Sequence, residues 1–143
     1  MSLRALALVS AVYDFVLALP LMIAAPAVAR AFGAAPPDPV INAQLNGMFT
    51  LTLAAGYLWA ARDAEARRGY LWVAGVLAKG LGAALFLLDH FTHGSPPAFL
   101  LFAATDGTLA LLTLFLLLRA PVRQERSARD GGAFPQPRGT GST

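Results

Sequence analysis

The feature that most constrains this chain is an apolar segment from Tyr70 to Phe91 that carries one lysine, Lys79, close to its middle. As an α-helix with ~1.5 Å of rise per residue, the segment is about 33 Å long, which matches the ~30 Å hydrocarbon core of a bilayer. Lys79 then lies near the middle of the membrane, where a charged side chain costs at least ~2.5 to 3.5 kcal/mol. We therefore expect a membrane-spanning helix whose lysine pairs with polar groups from other helices of the chain.

The composition supports a membrane protein and limits its size. Hydrophobic residues make up 57% of the chain and charged residues only 13%, whereas an average soluble domain has about 25% charged residues. A chain of 143 residues has room for crossings of about 20 residues each within one compact domain. Cysteine is absent, which excludes disulfides and thiolate chemistry. Apart from Lys79, the basic residues lie at helix ends and form no patch for nucleic acid, so a nucleic-acid partner is not expected.

Four apolar segments predict an all-α fold, an integral membrane four-helix bundle that forms one transmembrane domain over residues 1–119. The connections between them contain helix-ending signals, namely the prolines of segment 32–40, the charged run 62–69 and the glycine and prolines of segment 92–97. Tyr57 and Trp59 lie near one end of the second segment, where amphipathic rings favour the membrane interface. The predicted spans are about 5–28, 42–61, 70–91 and 98–118.

The first apolar segment also has features of a cleavable signal peptide, because Arg4 gives it a basic start and small residues at 27–29 resemble a cleavage site. Its apolar run is longer than the about 7 to 15 residues of a signal peptide, and Asp14 interrupts it. A retained helix is therefore the preferred interpretation, and whether residues 1–29 are ever removed is left open. Pro20 and Pro26 are expected to kink this helix, which lipid-embedded helices tolerate when neighbouring groups satisfy the freed carbonyls.

The arginines predict the orientation of the bundle. With four crossings, Arg30 lies on one side of the membrane and a larger set lies on the other: Arg4, Arg62, Arg67, Arg68, Arg119, Arg123, Arg126 and Arg129. The positive-inside rule then places both termini in the cytoplasm, in a multi-pass protein of the bacterial inner membrane. Residues 120–143 are predicted to be a disordered, basic, Pro/Gly-rich cytoplasmic tail, because they contain few large apolar residues. The lipid bilayer is the expected partner, with anionic lipids attracted to the cytoplasmic arginines.

Polar residues within the apolar segments are the candidate ligand or proton-path residues. Asp14 and Lys79 are both expected at ~15 Å from the cytoplasmic face, so they are predicted to pair. Asp106 or Asn46 is the predicted second contact of the lysine. One interpretation is a polar site that binds a small molecule or relays protons. The other is a structural ion pair with hydrogen bonds that fix the helix packing, at about 0.6 kcal/mol each. The sequence leaves both open.

Asp89, His90 and His93 are weak candidates for metal ligands. Their i,i+3 and i,i+4 spacings place them on one face at the end of the third helix, and a solvated interfacial patch is the preferred alternative. The sequence contains no HExxH motif and no phosphate-binding glycine loop. No catalytic residues and no cofactor are therefore predicted, and a small membrane isomerase that works with two carboxylates is a minor alternative.

A family resemblance rests on two short motifs. Gly56-Tyr57, Ala60 and Arg62-Asp63 at the end of the second helix and Lys79-Gly80-Leu81-Gly82 in the third resemble the small bacterial four-helix membrane proteins of the DoxX-like type. The resemblance covers residues 5–118. It implies an accessory membrane subunit and supplies no catalytic residues.

These observations predict a small non-enzymatic integral membrane protein, an accessory or scaffold subunit with a buried polar cluster. It is expected to associate with a membrane protein partner or with copies of itself. The alternative is an oligomeric carrier that moves a small molecule or protons through the polar core of Asp14, Lys79 and Asp106.

Overall fold

The computed structural model describes residues 1–119, which fold into four long helices without any strand. The all-α prediction is confirmed for this part of the chain. The predicted tail, residues 120–143, lies outside the described residues. The helices are α1 (Leu3–Ala31), α2 (Ile41–Arg62), α3 (Arg68–His93) and α4 (Leu100–Arg119), and a short 3₁₀ turn, Pro97–Phe99, precedes α4.

Length and composition make some of these helices suitable for crossing a membrane. Three candidate spans are Leu3–Ala31, Arg68–His93 and Pro97–Arg119. α2 is not among them, although its 22 residues are long enough at ~1.5 Å per residue. The polar side chains in its first turns, among them Asn42, Gln44 and Asn46, lower its hydropathy. Composition therefore supports the prediction of a membrane span for three of the four helices. Whether α2 also spans the membrane has to be argued from its packing.

The predicted kink in α1 is present. Its backbone leaves the helical conformation at Ala24 (φ −142°, ψ 33°), between Pro20 and Pro26. Because Pro26 has no N–H, the carbonyl of Met22, four residues earlier, has no donor within the helix. Gln44 of α2 donates a hydrogen bond from Nε2 to that carbonyl over 3.2 Å. A neighbouring helix thus satisfies the carbonyl that the proline leaves free.

α1 and α2 form a closely packed antiparallel hairpin with contacts near both of its ends. Gly47 of α2 lies against the backbone of α1, since a Cβ atom there would be 2.9 Å from the carbonyl oxygen of Ala18. At the other end of the hairpin, Leu3 and Ala7 share an apolar core with Ala60. Small side chains at the contact allow the two backbones to approach closely.

α3 and α4 form a second hairpin. Gly75 lies against Thr113, whose Cγ2 would be 2.7 Å from an added Cβ, and Gly107 lies beside Ala83. The first part of α3 is unusual, because the segment Leu71–Ala78 is a π-helix. A π-helical turn holds more residues than an α-helical turn, so it changes the direction in which the following side chains point. Such turns are frequent at functional sites. The residue that follows it is Lys79.

The two hairpins contact each other less extensively than the helices within each hairpin, and polar groups are prominent where they meet. The hydroxyls of Tyr13 in α1 and Thr105 in α4 are 2.7 Å apart. The Tyr70 hydroxyl of α3 donates to the carbonyl of Leu53 in α2 over 2.8 Å. At the other end of the bundle, Phe32 packs on aromatic rings at the start of α4. The candidate site lies in this interface between the hairpins.

Candidate functional site

Lys79 lies between two aspartates inside the bundle. Its Nζ is 2.7 Å from Oδ1 of Asp14 and 3.0 Å from Oδ1 of Asp106. The lysine and Asp14 side chains are 5% and 4% exposed, and that of Asp106 is 17% exposed. The predicted pair of Lys79 with Asp14 is thus present, with Asp106 as the second contact. We refer to these three residues as the ionic cluster. It joins α1 of the first hairpin to both helices of the second.

Two tyrosine rings lie around the lysine. Nζ of Lys79 is 4.7 Å from the ring centre of Tyr13 and 5.8 Å from that of Tyr57. The faces of aromatic rings attract cations at such distances, most strongly where water is excluded. The hydrogen bond between Tyr13 and Thr105 holds the nearer ring in place. The ammonium group is therefore stabilised by both carboxylates and aromatic rings.

The burial of Tyr57 was not expected from the sequence. The residue was expected at the membrane interface, but its side chain is almost fully buried, at 1% exposure. It packs edge-on against Tyr70, with the ring centres 5.4 Å apart. The polar hydroxyl made an interfacial position plausible, but the ring fills the space between α2 and α3. Only the packing of the two hairpins distinguishes these positions.

Local features of α3 and α4 place Lys79 and Asp106 together. Lys79 is the first residue after the π-helical segment. Gly82, three residues later on the same face, leaves room for the carboxylate, since a Cβ there would be 3.6 Å from Oδ2 of Asp106. Gly107, next to Asp106, lies close to Ala83. The glycines bring the two backbones near enough for the side chains to meet.

Several polar atoms near the ionic cluster have no hydrogen-bond partner. Within the described residues they include Oγ of Ser10, Oδ2 of Asp14 and the hydroxyl of Tyr57, all on buried side chains. Ser10 lies one helical turn before Asp14, on the same face of α1. Leaving a buried polar group unpaired costs about 1 to 3 kcal/mol, so native proteins contain few such groups. Nothing in the sequence singles out Ser10, because an isolated serine in an apolar helix is common.

Asn46, the other candidate for the second contact, does not belong to the cluster. Its side chain is exposed, and its backbone carbonyl accepts a hydrogen bond from Thr50. The next residue, Gly47, faces α1. Since successive residues of an α-helix are turned by about 100°, Asn46 is directed away from that contact. The prediction rests on depth along the helix, and depth does not show in which direction a side chain points around the helix axis.

The three metal-ligand candidates do not converge. Nδ1 of His93 is 3.0 Å from Asp89 on an exposed face, but Nδ1 of His90 is 2.8 Å from the backbone carbonyl of Ser95. Among residues 1–119 no group of three or more His, Cys, Asp or Glu side chains is placed to hold a metal ion. The helix ends at Gly94, and the backbone carbonyl of Ser95, in the chain that follows, contacts the ring nitrogen of His90.

The chemistry available in the ionic cluster is proton transfer and hydrogen bonding, because it contains two carboxylates and an ammonium beside tyrosine hydroxyls. Comparison with family models, with curated proteins and with solved structures found no match. The function therefore has to be argued from the geometry. The resemblance to DoxX-like proteins stays a prediction.

Proposed function

We propose that the protein is a non-enzymatic integral membrane protein of the bacterial inner membrane that acts as an accessory or scaffold subunit. The observation that carries this proposal is the position of Lys79 between the two hairpins. Asp14 belongs to the first hairpin and Asp106 to the second, and both bind the lysine within 3.0 Å. One buried residue thus defines how the hairpins pack, as expected of a bundle that presents a constant surface to lipid and to a partner.

The apolar outer surface supports insertion in a membrane. Val12, Val16 and Ile23 on α1 and Leu81 and Leu85 on α3 are all exposed large hydrophobic side chains. Soluble monomers rarely expose contiguous apolar patches larger than a few hundred Å². In hydrocarbon the same surface carries no such penalty, because lipid tails are as apolar as these side chains.

The packing of α2 supports a fourth crossing despite its lower hydropathy. Gln44, near its start, bonds to Met22 of α1, and Ala60, near its end, shares the apolar core with Leu3. α2 therefore lies beside α1 over nearly its whole length and reaches the same depths. If α1 spans the bilayer, then α2 does so as well. Four crossings with both termini in the cytoplasm agree with the distribution of the arginines.

A second candidate function, a carrier of protons or of a small molecule, is favoured by a different observation. The hairpins meet through an ion pair and hydroxyl contacts, including Tyr13 with Thr105. Many transporters work by rocking of one helix bundle against another around a polar site near the middle of the membrane. Since four helices enclose little volume, such a carrier would work as an oligomer.

Membership of the DoxX-like group is part of this proposal. Two of the residues that carry the resemblance, Tyr57 and Lys79, lie at the site. A membrane protein or a second copy of the chain is the proposed partner, and anionic lipids are proposed to contact the cytoplasmic arginines at ~1 kcal/mol each.

Single cysteines test the topology, and the sequence has none of its own. The variants are Ala35→Cys in the first connection, Ala66→Cys in the second and His93→Cys at the end of α3, all at exposed positions. A membrane-impermeant thiol reagent added to intact cells should label positions 35 and 93 and leave 66 unlabelled. If α2 does not cross, positions 35 and 66 will behave alike and 93 will differ. Labelling of 66 alone would invert the proposed orientation.

Exchange of charges distinguishes the scaffold from the carrier. The double variant Asp14→Lys, Lys79→Asp keeps an ion pair between α1 and α3. A scaffold should keep its helical content and its partner binding, because the attraction between the hairpins is preserved. A carrier should lose proton flux in proteoliposomes, measured with an entrapped pH-sensitive dye, although the protein still folds. Flux that persists at the wild-type rate would exclude a path through these two residues.

A further inference from the structure

The charges of the ionic cluster do not balance. Lys79 supplies one positive charge, whereas Asp14 and Asp106 supply two negative charges when both are ionised. Other titratable groups near the cluster are tyrosines, namely Tyr13 of α1 and Tyr57 of α2, whose rings lie beside Lys79, and Tyr70 of α3, which interacts electrostatically with Asp14. Tyrosine is neutral at pH 7. The fully ionised cluster therefore buries one uncompensated negative charge, which is strongly unfavourable in an apolar interior.

The oxygen best placed to relieve this imbalance is Oδ2 of Asp14. Lys79 contacts only Oδ1 of each aspartate. Oδ2 of Asp14 is buried and has no hydrogen-bond partner in the described residues. The Asp14 side chain is 4% exposed and that of Asp106 is 17% exposed, so solvation of a carboxylate is poorer at Asp14. The position that most favours a neutral carboxyl group is therefore Asp14.

The unpaired hydroxyls of Ser10 and Tyr57 are the second, independent observation. Both side chains are 1% exposed and neither has a hydrogen-bond partner. Ser10 lies one turn before Asp14 on α1, and Tyr57 lies beside Lys79, with its ring centre 5.8 Å from Nζ. Hydroxyl oxygens accept as well as donate hydrogen bonds. Neither hydroxyl donates to Oδ2 of Asp14, so no hydrogen-bond donor among the described residues stabilises a negative charge on that oxygen.

We propose that the ionic cluster is a proton-binding site, with one exchangeable proton held on Oδ2 of Asp14 at neutral pH. Asp14 is then a neutral acid that still accepts a hydrogen bond from Lys79 through Oδ1, and Lys79 and Asp106 form a balanced ion pair. A bound alkali cation would balance the charge equally well. It fits less well, because oxygen-bound cations need about six or more ligands, whereas Asp14, Ser10 and Tyr57 supply three unpaired oxygens near the cluster. The inference rests on the carrier candidate and specifies what it would bind. It does not depend on the topology experiment, which tests separately how many helices cross the membrane.

The test is infrared spectroscopy of the full-length protein in lipid nanodiscs at neutral pH, with the aspartate carboxyl groups labelled with carbon-13. A protonated carboxyl group has a C=O stretching band separate from that of a carboxylate, and the label shifts it only if it arises from aspartate. Wild type should show one label-sensitive band. Asp14→Glu should retain a band that no longer shifts with the label, whereas Asp106→Glu should retain the shift.

The number of protons should follow the charge count. Asp106→Asn leaves one lysine and one aspartate, so the band should disappear, although Asp14 itself is unchanged. Lys79→Met should double the band, because both aspartates must then be neutral. Asp89→Asn, which removes an exposed acid on the same helix as Lys79, is the control and should leave the band at wild-type intensity. Circular dichroism and gel filtration confirm that each variant is folded.

Three outcomes would overturn the proposal. The first is a wild-type spectrum without a protonated-aspartate band at neutral pH. The second is a band that keeps its label shift in Asp14→Glu and loses it in Asp106→Glu, which would place the proton on Asp106. The third is loss of the band when sodium chloride replaces choline chloride at fixed pH, which would assign the site to an alkali cation. If Lys79→Met does not fold, the two glutamate variants decide the question alone.

Discussion

Substitution of Lys79 by methionine should be among the most destabilising single changes in the bundle. Methionine has a similar length and keeps the apolar contacts, but it removes the hydrogen bonds of 2.7 Å and 3.0 Å to Asp14 and Asp106. Both aspartates then remain in a place with little exposure. Removing one member of a buried ion pair costs about 3 to 5 kcal/mol, because the other is left uncompensated. The folding equilibrium constant should fall by about 10² to 10⁴, at 1.4 kcal/mol per tenfold change.

Part of this loss should be recovered by a second substitution. Asp14→Asn in the Lys79→Met background removes one of the two stranded acids while keeping the size of the side chain. Replacing both members of a buried pair by neutral residues is often nearly neutral. Asp106 still remains, so recovery should be incomplete. The two substitutions should therefore be non-additive, with a coupling of about 1 to 3 kcal/mol.

A control comes from an exposed contact of a carboxylate on α3. His93 and Asp89 are also 3.0 Å apart, but their side chains are 75% and 49% exposed. Exposed pairs of this spacing contribute about 0.3 to 0.5 kcal/mol. Asp89→Asn should therefore change the free energy of unfolding by no more than ~0.5 kcal/mol. Asp89→Asn thus reports the loss of a carboxylate contact of similar length at an exposed position.

The assay is reversible unfolding in mixed micelles or bilayers, with the free energy of unfolding measured for wild type, both single variants and the double variant. The double-mutant cycle yields the coupling directly. Strictly additive losses would refute the reasoning, since they would mean that Lys79 and Asp14 do not interact in the folded state. A loss for Lys79→Met as small as that for Asp89→Asn would have the same consequence.

Two further predictions concern the α1/α2 hairpin. Gln44→Leu should destabilise the protein by about 1 kcal/mol, because the free carbonyl of Met22 loses its donor. Thr52→Val, which removes a hydroxyl bonded within its own helix, should have a smaller effect in the same unfolding assay, and equal losses would argue against the kink contact. Gly47→Ala should cost about 1 to 3 kcal/mol, because the added Cβ would lie 2.9 Å from a backbone oxygen of α1. Gly80→Ala, with its nearest contact at 3.9 Å, should be neutral or stabilising, and a loss there as large as at Gly47 would contradict the packing argument.

The sequence predicted the helices well because hydrophobicity and helix-ending residues are local signals. Tyr70 and His93 lie within one continuous helical stretch, and Gly94 ends it in the left-handed conformation (φ +69°) that favours glycine. The kink between Pro20 and Pro26 was likewise readable from the chain, since proline removes a helical donor wherever it occurs. α2 was harder to classify, because its early polar residues reduce the hydropathy that identifies a span.

The ionic cluster was partly predictable for a different reason. A charge in an apolar helix requires a partner, and depth along the helices limited the partners of Lys79 to a few residues, including Asp14 and Asp106. Depth did not distinguish Asp106 from Asn46, because that choice depends on how each helix is rotated about its own axis. The burial of Tyr57 and the unpaired hydroxyl of Ser10 were not predictable from position along a helix.

The sequence by itself determined the class of fold, the location of the helices and the requirement that Lys79 be paired. These follow from composition, from local backbone preferences and from the high free energy of an isolated charge in an apolar surrounding. Only the tertiary structure decided that the pair joins two hairpins, that Asp106 is the second ligand of the lysine and that Oδ2 of Asp14 has no partner. Those features depend on the rotation and close approach of the helices. Rotation and approach are set by contacts between residues far apart in the chain, such as Gly47 with Ala18 and Gly75 with Thr113.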